Sequence, residues 1–117
     1  MQYLFLIRTD DDDDAAATED DDEVMEEARA WVDDLQARGA RLVGDRLRPP
    51  EEARTVRVRN GERLVTEGPF AEAKELVGGF DLIECADDDE ALEIAGRHPV
   101  ARFGAIEIRR LWPLFDD

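Results

Sequence analysis

The residues best equipped for chemistry sit in the middle of the chain: Arg57, Glu67, Glu72, Lys74 and Asp81. Lys74 is the only lysine among fifteen basic side chains, so a chain that otherwise uses arginine keeps one primary amine. An ammonium can carry a proton or act as a point charge against an anion, which the rigid guanidinium fork does less adaptably. Glu72 and Glu75, three residues apart, share a face of any short helix here, and two carboxylates in one cleft can divide acid and base roles. Against this, a lysine or a glutamate pair on a short helix is most often a solvated face. Asp81 interrupts an apolar run and is a candidate to face the dimer interior, where it would bind a ligand or an arginine. Arg57, in an alternating stretch, is a candidate to point into the same cleft. His98 has the intrinsic pKa of a general base, but a single histidine before a proline at a helix end is most often a cap. No Ser-His-Asp order, Cys-His pair, phosphate loop or zinc spacing is visible, and no cofactor is implied.

These side chains must be positioned by a small set of elements. Tyr3-Leu4-Phe5-Leu6-Ile7 is a continuous apolar run, expected as a strand buried on both faces. From about Asp20 to Arg38 the pattern is helical, with Val24, Ala28, Trp31, Val32 and Leu35 on one face, acids at the start and Gly39 as the stop. Arg41 to Leu47 reads as a strand closed by Pro49-Pro50. Thr55 to Arg59 and Arg63 to Thr66 are strands flanking Asn60-Gly61, a strong hairpin signal because both turn positions need positive φ. Glu67-Gly68-Pro69 breaks the second of these. Phe70 to Val77 is expected as two helical turns, with Pro69 in the first turn, Phe70 as a core anchor and Gly78-Gly79 as the stop. Phe80 to Cys85 is a further strand. Asp87 and Glu90 stand at capping-box spacing before a second helix, which Pro99 ends, and Ala105 to Arg110 closes the chain as a strand. Two useful helices cannot cover both faces of such a sheet. The expectation is therefore one α+β domain over 1–117, ferredoxin-like, with an antiparallel sheet and its helices on one face. The uncovered apolar face predicts a second subunit.

The formal charge of −16 is local: residues 10 to 27 hold twelve of the 31 acids and no base, and elsewhere acids exceed bases by only four. The two acidic runs are expected to form a solvated loop over about 10–22, with no calcium-loop spacing. Overall acidity argues against direct nucleic-acid binding. The lone Cys85 has no partner within the chain and reads as a small core residue of a reducing compartment. No stretch approaches the length of a membrane span, and the N-terminus lacks a signal-peptide layout. A cytoplasmic protein that does not enter a membrane is expected.

Thr66-Glu67-Gly68-Pro69-Phe70-Ala71-Glu72-Ala73-Lys74-Glu75, followed by Gly78-Gly79-Phe80, resembles the signature of the DGPF branch of the YCII-related family. Flanking matches are Gly39, Leu42, Gly44, Leu47 and Pro49, then Thr55-Val56-Arg57, Asp89-Glu90-Ala91, Pro99, Gly104 and Glu107-Ile108-Arg109. The resemblance covers nearly the whole chain except the acidic loop. It implies a ferredoxin-like fold and a homodimer whose sheets face each other as in dimeric α/β barrels. It further implies a functional link to sigma factors of the extracytoplasmic-function type. Two departures stand out. The motif's aspartate is Glu67 here, which moves the charge one methylene outward. The histidine–aspartate pair of the related YciI branch has no first-helix histidine to supply it.

Two functions follow from this reading. One is a dimer that binds a small organic molecule in the cleft between its two sheets and works by cofactor-free acid–base chemistry, with Glu67, Lys74, Asp81 and Arg57 lining that cleft. The other is a non-catalytic binding or regulatory module linked to a sigma factor.

Overall fold

The computed structural model describes residues 1–10, 22–69 and 75–115, without the side chains of Asp10, Glu75 and Leu76. Nearly all of the expected acidic loop, together with Phe70, Glu72 and Lys74, lies outside the described residues. The chain runs β1 (Gln2–Asp10), α1 (Asp22–Ala37), β2 (Arg41–Arg46), β3 (Arg54–Arg59), β4 (Glu62–Glu67), β5 (Glu75–Glu84), α2 (Asp88–Gly96) and β6 (Ala105–Arg110). Four strands form an antiparallel sheet in the order β2-β5-β1-β6. This is the ferredoxin-like order, in which each helix carries the chain across the sheet between non-adjacent strands.

β1 sorts its side chains by alternation. Tyr3, Phe5 and Ile7 are buried towards the helices, while Leu4 and Leu6 on the other face are only half-buried. The register aligns Phe5 with Asp81 and Ile108, so these share the helix side of the sheet. Val24, Trp31 and Leu35 of α1 and Ala91, Ile94 and Ala95 of α2 are buried on that side. Trp31 ties the two helices together, its indole N–H donating to the Ile94 carbonyl at 2.9 Å. Gly39, with φ 71°, ends α1; the Ala40 N–H reaches back to the Leu35 carbonyl and the Gly39 N–H to that of Gln36, the reciprocal pair of a left-handed helix stop. Asp87 caps α2 by accepting from the Glu90 N–H, and Glu90 accepts from the Ala86 N–H.

Two expectations are corrected. Glu75, Leu76 and Val77 are not helical: they belong to β5, which begins at Glu75 and runs through Gly78-Gly79. Pairing with Arg8, Thr9 and Asp10 of β1 supplies these residues with ladder hydrogen bonds, an alternative to a short helix of marginal stability. The glycines are therefore not a helix stop. Gly79 lets β2 approach, since a side chain there would meet the Asp45 carbonyl at 2.9 Å. The second helix also stops earlier than Pro99, at Gly96, and Pro99 opens a single 3-10 turn to Arg102.

The hairpin β3–β4 turns at Asn60 and Gly61, with φ of 54° and 78°, as the Asn-Gly pair requires. It forms its own two-stranded sheet and does not join the main one. Val56, Val58 and Val65 share one face of it and are all more than half exposed. With this arm the Cα radius of gyration is 16.2 Å, against about 13 Å for a compact chain of this length.

Candidate functional site

Asp81 lies in β5 between β1 and β2, opposite Phe5 and Gly44, so it faces the helices and not, as expected, the interior between two sheets. It is only 4% exposed. Its partner is Arg41, at the start of β2, whose Nε donates to Asp81 Oδ1 at 2.7 Å. Gly44 is what admits this pair. A side chain there would collide with the Asp81 carboxylate, the Arg41 guanidinium and the Phe80 carbonyl. Burial raises the Asp81 pKa above the ordinary carboxylate value, and the hydrogen bond and charge of Arg41 oppose that rise without cancelling it. Asp81 is thus a carboxyl that holds its proton more tightly than a surface one.

Arg41 and Asp81 line a cleft of about 340 Å3 between α1 and the sheet. Ile7, Val24 and Val32 give it apolar walls, and His98 closes part of it. His98 is a cap, as its position before Pro99 suggests: Nδ1 accepts from the Val100 N–H at 3.0 Å. Its ring also packs edge-on against Trp31, with centroids 4.7 Å apart. Because Nδ1 is an acceptor, the neutral ring carries its proton on Nε2. Burial lowers the His98 pKa to about 4. At neutral pH the imidazole is therefore an uncharged N–H donor.

The other candidates lie elsewhere. Arg57 lines a separate hollow of about 280 Å3 in the hairpin, with Thr55, Leu64, Thr66 and Pro69. Glu67 is exposed at the end of β4, opposite Arg54 and on the other face of the hairpin from Arg57. Asp81, Arg57 and Glu67 therefore do not converge on one cleft, and Glu72 and Lys74 are outside the described residues. Arg41 was not singled out from the sequence, although a signal existed. A carboxylate inside an apolar strand asks for a cation on a neighbouring strand, and Arg41 opens the strand that follows the first helix. The sequence marks His98 as a cap with the intrinsic pKa of a general base, and only the fold adds its place in the cleft. Among the described residues no helix is long and apolar enough to cross a membrane.

Comparison with known proteins places these features in context. The model of the YCII-related domain matches residues 1–114. An uncharacterised protein of Rhizobium meliloti (strain 1021) is 54% identical over 50 residues, a match spanning 43% of this chain and 40% of that protein. Among solved structures, 5-chloro-2-hydroxyhydroquinone dehydrochlorinase from Burkholderia phenoliruptrix AC1100, in complex with 2,5-dihydroxybenzoquinone, superposes with a TM-score of 0.54. That match covers 96% of this chain and 94% of the other at 17% identity. At that identity it establishes a shared fold.

Proposed function

The chain belongs to the YCII-related domain family, and from that premise we propose that it is a cytoplasmic homodimer that binds a small organic molecule in the α1–sheet cleft and acts on it by acid–base chemistry without a cofactor. The observation that carries this reading is the cleft itself, which joins apolar walls to a buried carboxyl of raised pKa. Its volume falls at the lower end of the range for small-molecule sites and suits a single ring. Arg41 and the His98 N–H offer donors to oxygen substituents, and Asp81 offers the proton-exchanging group. An oxygenated six-membered ring is also what the dehydrochlorinase of the same fold was crystallised with, so hydroxylated benzoquinones and hydroquinones are the first ligands to try. Glu67 and Arg57 lie on opposite faces of the hairpin, so any part they take in recognition belongs to that arm and not to this cleft.

The dimer rests on the open face of the sheet. Leu4, Leu6, Phe80 and Leu82 are half-buried there and Val43 is 52% exposed, an apolar surface that a second sheet would cover.

Calorimetric titration with 2,5-dihydroxybenzoquinone and related hydroquinones tests the site, and sedimentation tests the dimer. Binding by the wild type that weakens at least tenfold in Asp81→Asn is expected. Binding unaffected by Asp81→Asn, or no binding across the panel, would overturn the assignment. Binding without any turnover would instead favour a non-catalytic module, a reading supported by the engagement of the Asp81 carboxylate with Arg41.

A further inference from the structure

The Arg41–Asp81 pair does not use up its own hydrogen-bonding capacity. It is joined by one hydrogen bond, from Nε to Oδ1, whereas Arg48–Glu52 and Arg102–Glu27 are each joined by two. Both terminal nitrogens of Arg41 and the Oδ2 of Asp81 therefore have no partner among the described residues. His98 is in the same condition: its Nδ1 accepts from the Val100 N–H, and its Nε2–H has no acceptor among the described residues. Asp81 and His98 are only 4% and 8% exposed, and buried groups of this kind are almost always bonded. None of these unbonded atoms is sealed from solvent, and Arg41, Asp81 and His98 all line the α1–sheet cleft. Their spare donors and acceptor open on that cleft.

The arrangement has two ends. Arg41 and Asp81 stand side by side on β2 and β5, one offering N–H groups and the other an oxygen. His98 heads the 3-10 turn, which packs against α1, β1 and β6. In the sheet order β2-β5-β1-β6 that is the opposite side of the cleft. Charge is balanced along the lining, where Arg41 and Arg46 stand with Asp45 and with Asp81 in the ionised form that Arg41 favours. An uncharged ligand matches such a lining.

We propose that the ligand of this cleft is an uncharged ring carrying a hydroxyl beside a carbonyl, with a further oxygen at the opposite end of the ring. The hydroxyl donates to Asp81 Oδ2, the carbonyl accepts from a terminal N–H of Arg41, and the far oxygen accepts from the His98 Nε2–H. The proposal rests on the small-molecule, acid–base reading above and names the pattern that the site selects. A donor and an acceptor held side by side read an acceptor and a donor side by side, and bonds to a charged pair are the stronger ones. A carboxylate ligand would set its charge beside that of Asp81. An amide presents the same donor and acceptor, but its N–H is too weak an acid to share a proton with a carboxylate. A hydroxyl conjugated with a carbonyl is acidic enough, as acid–base chemistry at Asp81 requires.

Calorimetric titration with hydroxypyranones tests this, in metal-free buffer at weakly acidic pH, where their ring hydroxyl keeps its proton. Kojic acid has the hydroxyl beside the carbonyl and a hydroxymethyl group across the ring. Its ring O-methyl ether keeps every oxygen but loses the donor, and allomaltol keeps the pair but lacks the far oxygen. The wild-type chain should bind kojic acid about tenfold more tightly than the ether and about fivefold more tightly than allomaltol, the loss of a charge-assisted and of a neutral bond. Asp81→Asn should erase the advantage over the ether, which separates a lost donor from the bulk of the added methyl. His98→Phe, with the circular dichroism of the fold retained, should erase only the advantage over allomaltol. Kojic acid bound no better than its analogues, the ether gap persisting in Asp81→Asn, or quinones bound where no pyranone is, overturns the pattern and leaves a small-molecule cleft standing. Binding of neither pyranones nor quinones overturns both.

Discussion

The Arg41 guanidinium and the Asp81 carboxylate meet at 2.7 Å across the β2–β5 pairing, with side chains only 11% and 6% exposed. Neither charge could be held there alone. Removing one partner of such a pair strands the other out of water and costs about 3–5 kcal/mol, whereas replacing both with apolar groups is often close to neutral. Arg41→Met is therefore expected to destabilise the chain by about that amount, and Arg41→Met with Asp81→Leu to recover most of the loss. Urea denaturation of the two variants and the wild type gives the comparison. Equal losses in the single and double variants would show that the cost lies in packing and not in charge.

The direction of the Asp81 shift fixes a pH dependence. Its folded pKa is raised above the unfolded value of 3.8, so the native state binds this proton more tightly than the unfolded chain. Its contribution to stability is full below 3.8 and is lost as pH rises through the folded value. The stability of the wild type relative to Asp81→Asn should fall over that window and then level off. A difference curve that rises with pH would contradict the assignment.

Gly44→Ala tests the close approach that the pair requires. The added methyl group would run into Asp81, Arg41 and the Phe80 backbone, and such overpacking costs about 1–3 kcal/mol. The melt should shift down, and weakened ligand binding at the Asp81 cleft should accompany it. An unchanged melting temperature would mean that β2 has room to move.

His98 is the only histidine in the chain, so its titration can be followed without assignment problems. With a folded pKa of about 4 against 6.5 unfolded, its imidazole resonances should stay in the neutral form from pH 8 down to about 5. As pH falls below 6.5 the unfolded state gains this proton first. Stability from this group is therefore lost between about 6.5 and 4, by about 3 kcal/mol in all. His98→Gln should flatten that part of the pH–stability profile. A midpoint near 6.5 in the folded protein would refute the buried, backbone-bonded ring.

Tyr3, the chain's single tyrosine, donates from its hydroxyl to Asp88 Oδ1 at 2.5 Å. That bond, with burial second, pushes its pKa up to about 12. Ultraviolet titration should place phenolate formation near 12, and Asp88→Asn should bring it down towards 10. A wild-type midpoint near 10 would show that the bond from β1 to the start of α2 is not held in solution.

Much of this protein is written locally. Val24, Trp31 and Leu35 mark α1 by their spacing, Gly39 ends it, Asn60-Gly61 turns the hairpin, and Asp87 with Glu90 opens α2. Each signal operates within a few residues, where side-chain periodicity and turn dihedrals decide conformation. Composition and element order were enough for the α+β, ferredoxin-like arrangement. Tertiary structure decided what depended on distant partners. Glu75 to Val77 became strand because β1 supplied a ladder that no local pattern reveals. The hairpin stood apart from the sheet because β5, and not β3, pairs with β2. Asp81 found Arg41, 40 residues away in sequence, and His98 came to share their cleft. Strand register selects such neighbours, and register is settled by burying whole faces at once, a non-local free energy that no short stretch of sequence contains.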